Sequence, residues 1–240
     1  MIMFGASNVG KVRTDNQDSY ILDILDNGIG YAIVCDGMGG AKGGKTASVT
    51  AVNGLSDAMI KLSPSMSEKA IKSVLLNAVN AVNSDILNKS LSDKSLEGMG
   101  TTLVAAVFIN DKMFVLNIGD SRCYIVRDDS INRVTKDHSA VQLLVDSGLI
   151  TQAQARNHPN KNIITRALGV EENVDCDIFI EQTKKSDIIL LCTDGITNYV
   201  DDLELPFESM NSIETIPNRL IELANSRGGA DNSTVVVINI

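Results

Sequence analysis

Cysteine and proline are scarce in this sequence of 240 residues, with four of each. No two cysteines form a Cys-x-x-Cys pair, so we expect neither a zinc nor a redox centre and predict buried, reduced thiols. The prolines are scattered, and no Pro/Gly/Ser-rich linker divides the chain. One domain over residues 1–240 is therefore expected.

Long hydrophobic runs are also missing. The longest unbroken apolar run, residues 103–109, is far shorter than the ~18 residues that suggest a membrane span. The apolar patch at the N-terminus is too brief for the core of a signal peptide. We therefore expect a cytoplasmic protein without a membrane partner, and we expect a monomer.

Positive charge is the third shortage. The chain has 21 Lys and Arg against 30 Asp and Glu, a net charge of -9, and its cations do not gather in one stretch. A chain this acidic repels a phosphate backbone, so nucleic acid is not an expected partner. The acidic excess has two readings, a solvated surface or a set of ligands for divalent metal.

The hydrophobic pattern predicts both strands and helices. Short apolar runs predict strands over 31–35, 102–109, 113–118, 123–126, 188–192 and 235–240. Those between 101 and 135 are expected to form one antiparallel meander. Helical spacing predicts two adjacent antiparallel helices over 51–62 and 71–86, the second after a capping box at Ser65 and Glu68, and a third near 216–224. Because strands and helices do not alternate regularly, the α+β class is favoured.

Four aspartates lie at the ends of predicted strands. Two apolar strands run directly into Asp36 and Asp194, each followed by glycine, while Asp120 follows a third strand and Asp231 stands shortly before the last. A single Asp-Gly can simply be a turn. A buried carboxylate, however, costs several kcal/mol unless it is paired or metal-bound, and no Lys or Arg accompanies these residues at fixed spacing. Oxygen ligands of this kind favour Mg²⁺ or Mn²⁺ over Zn²⁺.

Two metals held by shared aspartates suit one type of chemistry. Water that bridges two such ions loses its proton more readily than bulk water, which gives a nucleophile at neutral pH. Phosphate monoesters fit as substrates because their free oxygens can lie against the metals or a cation. The guanidinium of Arg13 can donate hydrogen bonds to two phosphate oxygens at once, although an isolated arginine is more often a solvated surface residue.

Six short motifs follow one another along nearly the whole chain. They are RTDNQD (13–18), VCDGMGG (34–40), GMGTT (98–102), GDSR (119–122), TDG (193–195) and DNSTV (231–235). In order and approximate spacing they resemble metal-dependent protein phosphatases of the type 2C class, in a compact bacterial form. The resemblance implies a four-layer α-β-β-α sandwich, with two antiparallel sheets flanked by helix pairs.

The resemblance also implies roles for the aspartates. Asp36 is expected to bridge two metals and Gly37 to bind one of them through its backbone carbonyl, where close approach favours glycine. Asp194 and Asp231 are expected to hold the other metal. Asp120, together with Asp194, is expected to hold a third, weaker one.

The chain departs from the family pattern at three positions. Met38 stands where many relatives have a histidine proposed as general acid, so the leaving group must be protonated by metal-bound water or another residue. Gln17 replaces a glutamate that holds a metal through water, so this contact is weakened or passes to Asp18, and Asn232 is expected in the same outer group. Lys45 stands at a position where relatives commonly have a glutamate, and we expect it to lie on the surface of the first helix.

Residues 136–169 match the mobile flap beside the active site of this family. A short amphipathic helix is expected over 139–146, and Thr151 can cap another. His138 and His158 both lie in the flap, where they could contact substrate, but local hydrogen bonding is the favoured reading. Flaps of this kind can influence substrate choice and turnover.

The sequence therefore predicts a Mn²⁺- or Mg²⁺-dependent Ser/Thr protein phosphatase. In the expected mechanism, a hydroxide bridging two metals attacks the phosphate in line without a phospho-enzyme, with Asp36 and Arg13 catalytic and Arg13 binding the phosphate. The expected partners are phosphorylated proteins, substrates of bacterial Ser/Thr kinases. An inactive, phosphatase-like regulatory binding module is the alternative, disfavoured because all four aspartates are present, and the charge disfavours a nucleic-acid phosphodiesterase.

Overall fold

The structure is a computed structural model, and it describes residues 1–128, 130–202 and 212–240. Its strands are β1 (Ile2–Asn8), β2 (Ser19–Ile24), β3 (Gly30–Cys35), β4 (Gly37–Met38), β5 (Gly100–Thr101), β6 (Leu103–Ile109), β7 (Lys112–Ile118), β8 (Arg122–Arg127), β9 (Ser130–Arg133), β10 (Asp177–Gln182), β11 (Ile188–Cys192) and β12 (Ser233–Asn239). Its α-helices are α1 (Gly40–Met59), α2 (Glu68–Ser92), α3 (Ala140–Asp146), α4 (Gln152–Arg156), α5 (Asp194–Thr197) and α6 (Ile216–Ser226).

Two five-stranded antiparallel sheets form the centre of the fold. The first sheet has the strand order β1-β12-β11-β8-β9, and the second has the order β10-β7-β6-β3-β2. A separate pair, β4 and β5, lies at the end of the second sheet, directly after β3 and before β6. All six predicted strands are present.

Alternate residues of the central strands face two different cores. In β6, Leu103 and Ala105 pack towards α1 and α2, whereas Val104 and Ala106 pack against the first sheet. A strand that is buried on both faces needs a continuous apolar run rather than an alternating one. On the far side of the first sheet, a third core contains Leu220 of α6.

Helices cover both outer faces. Helices α1 and α2 lie side by side on the second sheet and run antiparallel, because Thr50 meets Lys89 while Gly54 meets Val82. In the described part of the chain, α6 and the one-turn α5 cover the first sheet. The predicted α+β class and four-layer α-β-β-α arrangement are confirmed. No helix that the structure describes is both long enough and apolar enough to cross a membrane.

The predicted meander over 101–135 is wrong. The hairpin of β6 and β7 belongs to the second sheet, while the hairpin of β8 and β9 belongs to the first. Between them the chain crosses from one sheet to the other through Gly119, Asp120 and Ser121. Gly119 has φ +99°, a conformation that favours glycine, and this kink redirects the chain.

The predicted capping box at the start of α2 is also wrong. Ser67, not Ser65, is the N-cap, and its hydroxyl accepts a hydrogen bond from the backbone N–H of Ala70. Glu68 forms an ion pair with Lys112 of β7 instead of capping the helix. Because the helix begins at Glu68 itself, this residue stands at the first helical position and not at the third, which a capping box requires.

A buried asparagine connects α2 to the loop that follows residue 168. The Oδ1 atom of Asn83 accepts a hydrogen bond from the backbone N–H of Gly169 at 2.7 Å. Its Nδ2 atom donates to the carbonyls of Glu171 at 2.9 Å and Glu172 at 3.1 Å. With the residue only 1% exposed, water cannot replace these bonds.

Replacing this side chain tests its contribution to stability. We expect Asn83→Ala to lower the free energy of unfolding by about 2–4 kcal/mol, because each lost hydrogen bond contributes about 1 kcal/mol and a buried N–H is left unsatisfied. Chemical denaturation measures this difference. The exposed Asn80 on the same helix provides the control, and Asn80→Ala should change stability by no more than about 0.5 kcal/mol. Equal effects of the two substitutions would contradict the assigned role.

Candidate active site

The strand pairing brings distant segments to one end of the sandwich. In the first sheet, β11 ends at Cys192, opposite the start of β8 and close to the start of β12. In the second sheet, β3 ends at Cys35, opposite the start of β2, while β7 ends at Ile118, opposite the start of β6. The residues that follow or precede these termini therefore meet where the two sheets face each other.

A cavity of about 470 Å³ opens at this end. Its wall includes all the residues that the sequence proposes as metal ligands, together with most of their proposed neighbours: Arg13, Gln17, Asp36, Gly37, Met38, Asp120, Asp194, Asp231 and Asn232. Asp18 lies behind this wall and is 2% exposed. The structure thus brings together residues from both ends of the chain and from its middle.

Two threonines fix the backbone of Asp36. The hydroxyl of Thr102 accepts a hydrogen bond from the backbone N–H of Asp36 at 3.0 Å. The backbone N–H of Thr102 donates to the carbonyl of Asp36 at 2.9 Å. The hydroxyl of Thr101 donates to the same carbonyl at 2.8 Å. These threonines belong to a motif that carries the family resemblance, but no local pattern in the sequence indicates that they contact Asp36.

Two glycines allow chain segments to approach closely around the site. A Cβ atom on Gly37 would lie 2.0 Å from the carbonyl oxygen of Gly44, at the start of α1. A Cβ atom on Gly195 would lie 1.8 Å from the carbonyl oxygen of Asn232. Both overlaps are with backbone, so a side chain at either position would force the segments apart.

Asp18 lies in a buried pocket of hydroxyl groups. Its Oδ2 atom accepts hydrogen bonds from Thr193 at 2.9 Å and from Thr234 at 2.7 Å, one from the segment after β11 and one from β12. Its Oδ1 atom has no partner among the residues that the structure describes. One oxygen of a fully buried carboxylate is therefore left without compensation.

The other two residues of the proposed outer group hold the loops in place. The Nδ2 atom of Asn232 donates to the carbonyls of Val9 and Asp15, and its Oδ1 atom accepts the backbone N–H of Gln17 at 2.8 Å. The Nε2 atom of Gln17 donates to the carbonyl of Gly40 at 2.7 Å, at the start of α1. Asn232 therefore connects the segment before β12 to the segment before β2.

Burial and mutual repulsion raise the pKa values of the clustered carboxyls. Burial is the largest cause at every one of them, and neighbouring carboxylates add to it. The pKa of Asp18 is raised to about 7 and that of Asp194 to about 6. The pKa values of Asp36 and Asp120 are raised well above their usual range. Such a cluster requires protons or cations for stability.

Arg13 supplies one cation to this cluster. Its guanidinium donates to Oδ2 of Asp231 at 2.8 Å, and the backbone N–H of Asn232 donates to Oδ1 at 2.9 Å. Both oxygens of Asp231 are thus engaged by the chain itself. Among the described residues, no three His, Cys, Asp or Glu side chains already stand in position around one ion. A metal ion at Asp231 would share its carboxylate with this arginine or displace it, because each carboxylate oxygen has a second lone pair.

The donor set nevertheless suits a hard divalent cation. Asp36 and Asp194 are close enough for the charge of Asp194 to add to the effect of burial in raising the pKa of Asp36, and the Oδ1 atom of Asp194 is buried without a hydrogen-bond partner in the described part of the chain. Oxygen atoms of carboxylates and of a backbone carbonyl are the ligands that Mg²⁺ and Mn²⁺ prefer. The residues present therefore fit such ions.

Lys45 is exposed on α1, as expected. Its ammonium group donates to the backbone carbonyl of Asp18 at 2.7 Å. Met38 lines the cavity and carries no titratable proton.

The flap region contains the two predicted helices. Ser139 is the N-cap of α3, and α4 begins with a capping box at Thr151.

The histidines of the flap differ in their contacts. His158 accepts a hydrogen bond from the nearby N–H of Asn160, so the local prediction is confirmed there. His138 contacts Arg166 within the flap but also residues outside it, which corrects the prediction that its hydrogen bonds are only local. Its Nδ1 atom accepts the N–H of Gly119 at 3.1 Å, and its Nε2 atom lies 3.1 Å from Asp177. Because Nδ1 accepts, the neutral ring carries its proton on Nε2. His138 thereby holds the turn that carries Asp120.

Comparison with known proteins decides the family. The profile described as "Protein phosphatase 2C" matches residues 9–220. The chain belongs to the protein phosphatase 2C family. The resemblance stated from the six motifs is confirmed, as is the prediction of a metal-dependent protein phosphatase, and nothing supports the inactive alternative.

Individual members of the protein phosphatase 2C family resemble the chain over nearly its whole length. The "Serine/threonine phosphatase stp" of Listeria monocytogenes serotype 4b is 40% identical over 233 residues, covering 95% of this chain and 92% of the relative. The crystal structure of Stp1 from Staphylococcus aureus has a TM-score of 0.93 at 30% identity, covering 99% and 94% of the two chains. The catalytic domain of the serine/threonine protein phosphatase PstP, crystallised with two manganese ions, has a TM-score of 0.84 at 34% identity, covering 99% and 97%.

The raised pKa values predict how the stability of this phosphatase depends on pH. Folded Asp18 and Asp194 keep protons up to pH of about 7 and 6, whereas the unfolded chain loses them near 3.8. Because the folded chain binds these protons more tightly, protonation stabilises it relative to the unfolded chain. This stabilisation is complete below pH 3.8 and is lost as the pH rises through 6 to 7. We expect the Tm of the metal-free protein to be at least about 4 °C lower at pH 8 than at pH 5.

Two controls isolate the cause. Added Mn²⁺ should raise the Tm at pH 8, because an ion that binds only the folded state stabilises it. Asp18→Asn should reduce the pH dependence, because it removes one of the titrating groups. A metal-free Tm that rises between pH 5 and pH 8 would contradict the assignment of these shifts.

Proposed function

We propose that this chain removes phosphate from phosphoserine and phosphothreonine residues of proteins, using Mn²⁺ or Mg²⁺. The observation that carries the proposal is the convergence of Asp36, Asp120, Asp194 and Asp231 on one cavity that also contains Arg13. The relatives support the substrate class, since those of Listeria and Staphylococcus are named serine/threonine phosphatases. The structure of PstP with manganese supports the choice of metal.

The proposed ligands would hold two metal ions and a weaker third. Asp36 would serve the first two ions, with the carbonyl of Gly37 at one and Asp194 and Asp231 at the other. Asp120 together with Asp194 would hold the third. When bound, such ions lower the pKa of water, which allows direct attack on the phosphate, and neutralise charge that develops on it. The orphaned Oδ1 atom of Asp194 supports this assignment.

Other residues position the substrate and the ligands. Thr101 and Thr102 fix the backbone of Asp36, so that its carboxylate has little freedom. Arg13 binds the oxygens of the phosphate, because a guanidinium released from Asp231 can fork two of them. Met38 cannot donate a proton, so the departing Ser or Thr oxygen takes its proton from solvent or from another residue.

The cellular setting is part of the same proposal. The protein acts as a monomer in the cytoplasm on substrates of bacterial Ser/Thr kinases, and residues 136–169 form a mobile flap over the substrate. Support comes from the bacterial relatives and from the position of the flap, whose Asn162 and Ile164 line the cavity. Movement of these residues would change access to the aspartates.

Metal removal tests the chemistry. We expect the protein to hydrolyse a small aryl phosphate and a phosphothreonine peptide with Mn²⁺ and to lose this activity with a chelator. Asp36→Asn should lower kcat by at least about 100-fold, the scale of losing one electrostatic contact to the reacting group. Asp57→Asn, at an exposed position on α1, is the matched control and should retain full activity. Equal rates with metal and with chelator would exclude the proposed chemistry.

The assigned function of Arg13 has its own test. Arg13→Ala should raise KM for the phosphopeptide about tenfold, equivalent to about 1.4 kcal/mol, with a smaller change in kcat, because a contact to the bound phosphate is removed. Steady-state kinetics separates the two constants. An unchanged KM would show that another group binds the phosphate.

A further inference from the structure

A second cavity of about 470 Å³ lies next to the first. Asp120 and Asp194 line both cavities, so the two spaces meet at the proposed metal site. The second cavity is bounded on one side by β8, β9 and α5 and on the other by helices α3 and α4 of the flap. Its walls are therefore formed partly by the rigid sandwich and partly by the flap.

Four cations of the described part of the chain line this cavity, and two of them are fully engaged. Arg122 donates to both oxygens of Asp137, at 3.0 Å and 2.7 Å, and also binds Asp202 at 3.1 Å. Arg156 is paired with Asp201. Their charges are compensated within the protein, so neither needs a further anion.

The other two cations, Lys161 and Arg133, are not compensated in this way. The ammonium group of half-buried Lys161 has no hydrogen bond or ion pair with any residue that the structure describes. Arg133 lies 3.7 Å from a carboxylate oxygen of Asp137, which Arg122 already occupies, and 3.4 Å from the amide oxygen of Gln142. A lysine that is half-buried in a cavity without a partner gains little from that position unless an anion joins it.

The charge balance of the cavity depends on the metal site. Among the residues that the structure describes, its walls carry five carboxylates and four cations. Once Asp120 and Asp194 serve as metal ligands, three carboxylates, those of Asp137, Asp201 and Asp202, remain against four cations. The metal-loaded protein thus presents an excess of positive charge next to the reacting phosphate, and this excess lies at Lys161 and Arg133.

We propose that this cavity binds a second anionic group of the substrate, through Lys161 and Arg133. The ligand is a phosphorylated or carboxylate side chain on the same peptide as the phosphate that is removed, because the cavity opens directly onto the metal site. The proposal rests on the proposed function and adds a preference to it. Substrates with two neighbouring anionic residues would bind more tightly than those with one.

Binding of non-hydrolysable peptides tests this proposal without turnover. Three peptides carry a phosphonate analogue of phosphothreonine and, at a neighbouring position scanned along the peptide, alanine, glutamate or a second phosphonate. We expect the metal-loaded protein to bind the doubly anionic peptides about tenfold more tightly than the alanine peptide at one or more positions. Tighter binding of the glutamate peptide would show that one negative charge suffices, and tighter binding of the bis-phosphonate peptide alone would show that a dianion is needed.

Variants assign the effect to the cavity. Lys161→Ala and Arg133→Gln should reduce the preference to about twofold or less, and Lys161→Glu should abolish it. Lys61→Ala, which removes an exposed charge at the end of α1, should leave it unchanged. The proposal is overturned if the wild-type protein shows no preference at any position, or if Lys161→Ala retains it in full. Hydrolysis of a small aryl phosphate by every variant checks the proposed function separately, since that substrate has no second anion.

Discussion

The need to bury several carboxylates together is the constraint on which this structure depends. Asp18, Asp36, Asp120 and Asp194 lie where the two sheets meet, and burial raises the pKa of each, with repulsion from neighbouring carboxylates adding to it. Among the described residues, the chain offers threonine hydroxyls to Asp18, the side-chain amide of Asn198 to Asp194 and the nearby charge of Arg122 in return. The rigid sandwich, the close contacts at Gly37 and Gly195, and the hydrogen bonds from Thr101 and Thr102 to Asp36 all hold the carboxylates close together despite their mutual repulsion. A divalent cation bound between these carboxylates would offset the free-energy cost of burying their negative charges together.

The central strands and long helices could be predicted because their burial is visible in composition. A strand covered on both faces, such as β6, is apolar throughout, and α2 has regular helical spacing. The missed strands β1, β2 and β10 are edge strands that are only partly buried, so their sequences mix polar and apolar residues. The crossing at Gly119 could not be predicted either, since a tight turn between two strands looks the same whether the strands share a sheet or not.

Within the site, the aspartates could be found because each follows or precedes an apolar strand, which is a local signal. Their partners could not. Arg13 and Asp231 are 218 positions apart, and Thr234 is 216 positions from Asp18, so only the folded chain shows these contacts. His138 likewise reaches out of the flap to Gly119. Hydrogen bonds of this kind carry no sequence pattern beyond the residue type.

The division of the aspartates between the sheets has a mechanical consequence. Asp36 extends from the second sheet, Asp194 and Asp231 adjoin strands of the first, and Asp120 lies on the segment that passes between them. An ion bound by this group would act as a clasp across the interface, opposing any sliding of one sheet over the other. Movement of one sheet relative to the other would then release the ion. Any change that loosens the packing of the two sheets would also disturb the catalytic geometry.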